Sequence, residues 1–150
     1  MPAPALTYLF DFDVTVTPPV VIDAGYPGRR MIAITGGTVT GAWSGRILPG
    51  ASDWQVVRSE THVELSAHYV LELDGHGRVE VQSNGLRHAS GAVIAAIDRG
   101  DPVDASRYYF RTALRFRTAA PALERLNTLL AIGVGTRLID RVLLAVYEVG

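Results

Sequence analysis

The stretch Val63-Glu64-Leu65-Ser66-Ala67-His68-Tyr69-Val70-Leu71-Glu72-Leu73-Asp74-Gly75-His76-Gly77-Arg78-Val79-Glu80-Val81-Gln82-Ser83-Asn84 carries the clearest structural signal in the chain. Val63, Leu65, Ala67, Tyr69, Leu71 and Leu73 fall at every second position, with Glu64, Ser66, His68, Val70 and Glu72 between them. Alternation of this kind marks a β-strand with one buried and one exposed face. Asp74-Gly75-His76-Gly77 then supplies turn chemistry for a hairpin into Arg78–Asn84. A three-residue loop at 74–76 predicts Leu71 opposite Val79, Tyr69 opposite Val81, Glu72 opposite Arg78 and His68 opposite Gln82. Apolar residues then meet apolar ones, and charge meets opposite charge. A one-residue slip would set the apolar row against Arg78, Glu80 and Gln82.

Working outward, the same periodicity recurs. Tyr8, Phe10, Phe12, Val14 and Val16 alternate with Leu9, Asp11, Asp13 and Thr15, and Pro18-Pro19 ends the run. Further strands are predicted over Met31–Val39, Ala42–Leu48, Asp53–Arg58, Arg107–Thr118, Leu126–Val134 and Leu138–Val149. One helix stands out: Ser90 caps it, Val93, Ile94 and Ile97 form its apolar stripe, and Gly100 with Pro102 stops it. About eight short strands and one helix predict an all-β fold, an antiparallel barrel or sandwich forming a single domain over residues 1–150. Closure into a barrel would remove exposed edges from so apolar a chain.

Composition narrows the function. The 150 residues are 48% hydrophobic and only 19% charged, against roughly 25% charged in an average globular protein, which excludes intrinsic disorder. A net charge of -1 offers nothing for neutralising a phosphate backbone, so no nucleic acid partner is expected. All 14 basic residues are Arg, which excludes lysine nucleophiles and Schiff bases. Without Cys there is no thiol nucleophile and no cysteine-ligated metal centre. The histidines at 62, 68, 76 and 88 lack metal-site spacing, and Thr35-Gly36-Gly37-Thr38 lacks the lysine and helix of a phosphate loop. The expectation is therefore no metal and no cofactor. No apolar run reaches the ~20 residues of a membrane-spanning helix and no leader is visible, so a cytoplasmic protein without a membrane partner is expected.

The ordered set Ile34-Thr35-Gly36-Gly37-Thr38, Gly45-Arg46-Ile47-Leu48-Pro49-Gly50, Asp53-Trp54, Asn84-Gly85-Leu86-Arg87, Pro102-Val103-Asp104, Tyr108-Tyr109-Phe110-Arg111-Thr112 and Val146-Tyr147-Glu148-Val149 resembles the domain of unknown function family DUF3237, from about Leu9 to the end. The resemblance implies a closed antiparallel, calycin-like β-barrel with one helix, and says little about chemistry. Where the family usually shows Asp-Ala-Arg-Tyr on the long strand, this chain has Ser66-Ala67-His68-Tyr69, so the roles of that acid and arginine are not carried over.

Several clusters are candidates for chemistry. Arg107, Tyr109, Arg111, Arg115 and Arg117 share one face of their strand, with Tyr108, Phe110, Leu114 and Phe116 on the other. This row reads either as a solvated outer face or as a ligand grip in which Tyr109 and Arg111 point inward. Asn84 and Arg87 read as part of a turn or as polar groups at a barrel mouth. Asp53 beside Trp54 reads as a turn acceptor or as a desolvated acid–base group. The functional reading places Trp54, Tyr69, Tyr109 and Arg111 around one interior pocket, with Asp53, Asn84 and Arg87 nearer its mouth. Asp53 and Arg111 would be catalytic. Glu64, Ser66 and His68 are not aimed as a triad, because same-face neighbours on one strand do not point at one another. The expected function is a cofactor-free lyase, isomerase or cyclase acting on a small carbonyl compound; the alternative is a non-catalytic binding or carrier barrel. The apolar run Val142-Leu143-Leu144-Ala145-Val146 predicts a strand covered on both sides, by a partner subunit in a homodimer or by the helix.

Overall fold

The computed structural model describes residues 1–150. Ten strands form one sheet: β1 (Leu6–Val16), β2 (Val20–Asp23), β3 (Gly28–Gly41), β4 (Gly45–Ile47), β5 (Ala51–Ser59), β6 (His62–Leu73), β7 (Gly77–His88), β8 (Tyr109–Arg117), β9 (Leu130–Arg137) and β10 (Arg141–Val149). One helix, α1 (Gly91–Arg99), follows β7, and 3₁₀ turns occupy Ala105–Arg107 and Pro121–Thr128. All pairings are antiparallel.

The hairpin of β6 and β7 has the register expected from its sequence, with Leu71 facing Val79, Tyr69 facing Val81, Glu72 facing Arg78 and His68 facing Gln82. On its outer face Glu72 accepts bonds from Arg78 and Arg46. Such exposed pairs fix register more than they stabilise. From this hairpin the sheet runs β7–β8–β9–β10–β1 in one direction, and through β4 and β5 to β3 in the other. Short β4 and longer β5 both bridge β6 to β3, so together they make one stave. The pairing of β1 with β3 closes a barrel of eight staves.

Closure sorts each strand into two faces. Phe10, Phe12, Tyr69, Leu71, Leu114 and Phe116 meet in the interior. The edge of Phe12 packs against Tyr69 with ring centroids 6.2 Å apart. The two ends of the barrel are plugged differently. At one, Leu123 and Leu126 of the Pro121–Thr128 turn are fully buried in the main core. At the other, Val93, Ile94 and Ile97 of α1 pack on Val63, Leu65, Tyr108 and Phe110. Ser90 caps α1 by accepting from the Val93 amide, and Gly100 ends it in the left-handed conformation (φ 82°), which glycine adopts without strain.

The structure corrects four sequence expectations. Leu126–Val134 is not one strand: a 3₁₀ turn starting at Pro121 precedes a strand beginning at Leu130. Only Gly45–Ile47 of the predicted Ala42–Leu48 strand pairs. β7 continues through Gly85 to His88, because the glycine lets the backbone of β8 pass close at Thr112. β2 was not foreseen; it is exposed at every position and so carries no burial alternation. The apolar run of β10 alternates as well: Leu144 and Val146 face the interior, while Leu143 is 37% exposed outside. Helix α1 lies across the barrel end and packs on residues of that end.

Inner and outer positions predict different mutational costs. Leu71→Ala should destabilise by about 2–5 kcal/mol, as buried leucine truncations do, whereas Leu130→Ala, at an exposed position of β9, should stay within about 0.5 kcal/mol. Urea unfolding of both variants, with unchanged slope, checks this.

Candidate functional site

The interior beneath α1 is not fully packed. A cavity of about 60 Å³ remains among Val14, Ile34, Leu65, Phe110 and Leu144, room for about four water-sized spheres. Four polar side chains reach it: Asp53 from β5, Tyr69 from β6, Ser83 from β7 and Thr112 from β8. All four occupy inward positions; those of Tyr69 and Thr112 lie between apolar inward neighbours, whereas Asp53 has the buried Gln55 beside it.

Asp53 anchors the set. Its Oδ2 accepts from Gln55 Nε2 at 2.8 Å and its Oδ1 from the Ser66 amide at 3.0 Å. Desolvation nevertheless dominates and raises its pKa above the ordinary carboxylate value; the bonds from Gln55 and Ser66, and the charges of Arg87 and Arg30, oppose the rise. Burial also pushes the Tyr69 phenol up, the Asp53 charge adds to this, and the Ser83 hydroxyl works against it. Tyr69 therefore keeps its proton near neutral pH and can offer it in a hydrogen bond. Thr112 Oγ1 is buried with no hydrogen-bond partner and packs over Gly133, where a Cβ would collide with it.

A second recess of about 200 Å³ lies at the α1 end. Three arginines line it: Arg30 from β3, Arg87 from β7 and Arg137 from the end of β9. Gln55, only 2% exposed, links the two spaces. Arg30 Nε donates to Gln55 Oε1 at 2.7 Å, and Gln55 Nε2 donates on to Asp53. Arg87 forms a second link, with its guanidinium 5.6 Å from the ring centroid of Phe110, which lines the cavity.

The predicted site residues divide by face. Asp53 and Tyr69 line the cavity, and Arg87 lines the second recess. Trp54 does not; next to inward Asp53 it must point outward, where it is 40% exposed beneath Arg29. The desolvation of Asp53 thus comes from the barrel interior and not from the indole. Tyr109 and Arg111 are likewise outside. Tyr109 is 51% exposed, and Arg111 stacks on it at 5.1 Å and donates to the Phe110 carbonyl. Phe110, Thr112, Leu114 and Phe116 take the inward positions of β8, so the arginine row is the solvated face. Asn84 is also outside, accepting from the Ser66 hydroxyl at 2.9 Å. Ser66 and His68, where the chain departs from the family pattern, both lie on that outer face, and His68 pairs with Glu80.

Arg30, Gln55, Ser83, Thr112 and Arg137 were not singled out from sequence. A signal existed for some of them: Gln55 and Ser83 share parity with Asp53 and Val81, and Arg30 shares it with Ile32 and Ile34. Gly133 and Gly135 on β9 mark the space that Thr112 and Phe110 fill, since a Cβ at Gly135 would meet the Phe110 ring at 2.6 Å.

Comparison with known proteins bears on the family and the fold. The family model described as "Protein of unknown function (DUF3237)" matches residues 4–149. A UPF0311 protein of Rhodopseudomonas palustris is 37% identical over 150 residues, covering 97% of this chain and 98% of the relative. The crystal structure of a conserved protein of unknown function from the same species superposes with a TM-score of 0.93 at 33% identity, covering 100% of this chain and 99% of that one. A structure described as an enzyme from Penicillium herquei superposes with a TM-score of 0.74 at 17% identity, over 100% of this chain and 97% of that one, and shares the fold.

The raised pKa of Asp53 has a pH signature. A carboxyl that titrates higher when folded binds its proton more tightly in the native state. Its burial penalty is absent below the unfolded value and fully present above the folded one. The wild type should therefore lose stability, relative to Asp53→Asn, as pH rises from about 4 through the native midpoint. Urea midpoints against pH, together with the ¹³C carboxyl shift of Asp53, measure both.

Proposed function

The chain belongs to the DUF3237 family, and we propose that it is an acid–base enzyme acting on a small carbonyl compound held inside the barrel. The observation that carries this reading is Asp53: a carboxyl desolvated in a mostly apolar cavity, facing a buried, protonated Tyr69. A carboxylate whose pKa is raised toward neutrality is a better general base than an exposed one. A carrier would need only the apolar wall. The convergence of Asp53, Tyr69 and the unpartnered Thr112 hydroxyl supports catalysis instead.

The chemistry balances without a cofactor. Asp53 removes a proton from the carbon next to the substrate carbonyl. The electron pair moves onto the carbonyl oxygen, where Tyr69 donates a hydrogen bond to the enolate. Return of the proton from Asp53 to the far carbon of a conjugated dienolate gives an isomerase; expulsion of a group on the β-carbon, which leaves with that proton, gives a lyase; attack of the enolate carbon on a second carbonyl of the same molecule, whose π bond opens and whose oxygen takes the proton, gives a cyclase. Arg111, on the outer face, has no part in this scheme.

The reading is tested by deuterium exchange. In D₂O at neutral pH the protein should accelerate loss of the α-proton signals of small ketones and keto acids in ¹H NMR. Asp53→Asn should slow this by about 10²-fold or more, and Tyr69→Phe should slow it with binding retained. Exchange equal to buffer for every compound, or untouched by Asp53→Asn, would overturn it.

The reading also includes a cytoplasmic homodimer packed through the outer face of β10, where Leu143 is exposed. Sedimentation equilibrium at micromolar concentration should give twice the chain mass of 16.2 kDa; a single-chain mass would overturn this part.

A further inference from the structure

We propose that Arg30, Arg87 and Arg137 bind the carboxylate of the substrate, so that the barrel takes a small oxo acid with its carbonyl in the cavity and its carboxylate at the mouth. This names the substrate class for the acid–base reading above and rests on it.

The three guanidinium groups are under-compensated. Arg87 is 2% exposed, yet its Nε has no hydrogen-bond partner. Arg137 donates only to the neutral carbonyls of Leu138 and Arg141. Arg30 donates to neutral Gln55 and reaches one acid, Asp98, at 3.5 Å. Burial is the main influence on Arg87 and lowers its pKa to about 10; Asp98 opposes this, the charges of Arg30 and Arg137 add to it, and Asp53 opposes it most weakly. It remains a cation at neutral pH. A buried cation without a partner is costly, and proteins keep one where a ligand supplies the missing charge. Asp53 supplies only the weakest of the attractions felt by Arg87, its carboxylate being already held by Gln55 and Ser66.

The ligand chemistry follows from the donors. Guanidinium groups present planar forks that match a carboxylate in two-point bonding. Asp98, on the last turn of α1 and 42% exposed, already offers a carboxylate to this cluster at marginal distance, as an internal stand-in. The recess of about 200 Å³ takes the carboxylate end of an acid of a few carbons, and the buried Gln55 stands between it and the cavity of about 60 Å³. The Arg30–Gln55–Asp53 chain ties the bound carboxylate to the catalytic carboxyl and so fixes which carbon Asp53 faces.

The probes are acetoacetate, levulinate and pyruvate, their methyl esters, and inorganic phosphate, titrated calorimetrically against the whole chain. At least one acid should bind about tenfold or more tighter than its ester and than phosphate. Arg137→Gln should abolish that preference, and Arg30→Gln serves the same purpose should the first variant not fold by circular dichroism. Asp98→Asn should tighten acid binding by removing the internal competitor, an effect that a purely structural Asp98 would not produce. Esters or phosphate binding as well as the acids, or acid binding indifferent to the arginine and Asp98 substitutions, would overturn the proposal. If the esters bind as well and exchange deuterium through Asp53, the arginine site falls and the acid–base reading stands. If the acids bind through the arginines without exchange, the reverse holds.

Discussion

The pairing of β1 with both β10 and β3 is the constraint on which the rest depends. An open sheet would leave each strand with two solvent-reachable faces. Closure makes one of them an interior with a fixed volume, and then the two-residue period of a strand decides the fate of every side chain. Aromatic and aliphatic rows from β1, β6, β7 and β8 fill most of that volume. What they leave is the cavity. Its walls are set by residues such as Gly133 and Gly135, whose missing side chains make room for Thr112 and Phe110.

The same parity explains what could be read from the sequence. The β6–β7 register was legible because hydrophobic match, charge match and turn chemistry agreed. Tyr69 was legible as an inward residue because β6 alternates cleanly, whereas Asp53, read as a mouth residue, sits on a strand whose burial does not alternate. Strand β8 was not, because both of its faces carry aromatic rings and only one carries arginines. Tyr109 and Arg111 matched a family motif, yet Phe110 and Thr112 between them hold the interior positions. Trp54 failed for a simpler reason: adjacent residues on a strand cannot share a pocket.

The arginine cluster lay beyond sequence reasoning for a different physical reason. Arg30, Arg87 and Arg137 stand on three strands distant in sequence, at the ends of those strands, where alternation gives out. Arg87 stands out in sequence beside Asn84, but nothing local ties Arg30 and Arg137 to it among the 14 arginines of the chain. Only the order of strands around the barrel, with β3, β7 and β9 converging beneath α1, brings them together. Their shared burial is a property of topology, and so is the charge imbalance it creates.

That imbalance bears on how fold and site are related. Each polar group inside a closed barrel loses hydration, and the loss is recovered only through partners. Gln55 is the partner that makes the arrangement tolerable. It has one acceptor and one donor end, and it spends them in opposite directions, on Arg30 and on Asp53. An apolar residue there would strand both charges, and an acid would neutralise Arg30 while repelling Asp53. A neutral amide lets a cation at the mouth and a carboxylate in the cavity coexist without cancelling each other. Asp53 therefore keeps its desolvation and its raised pKa, and Arg30 keeps its unspent charge, within one continuous run of hydrogen bonds.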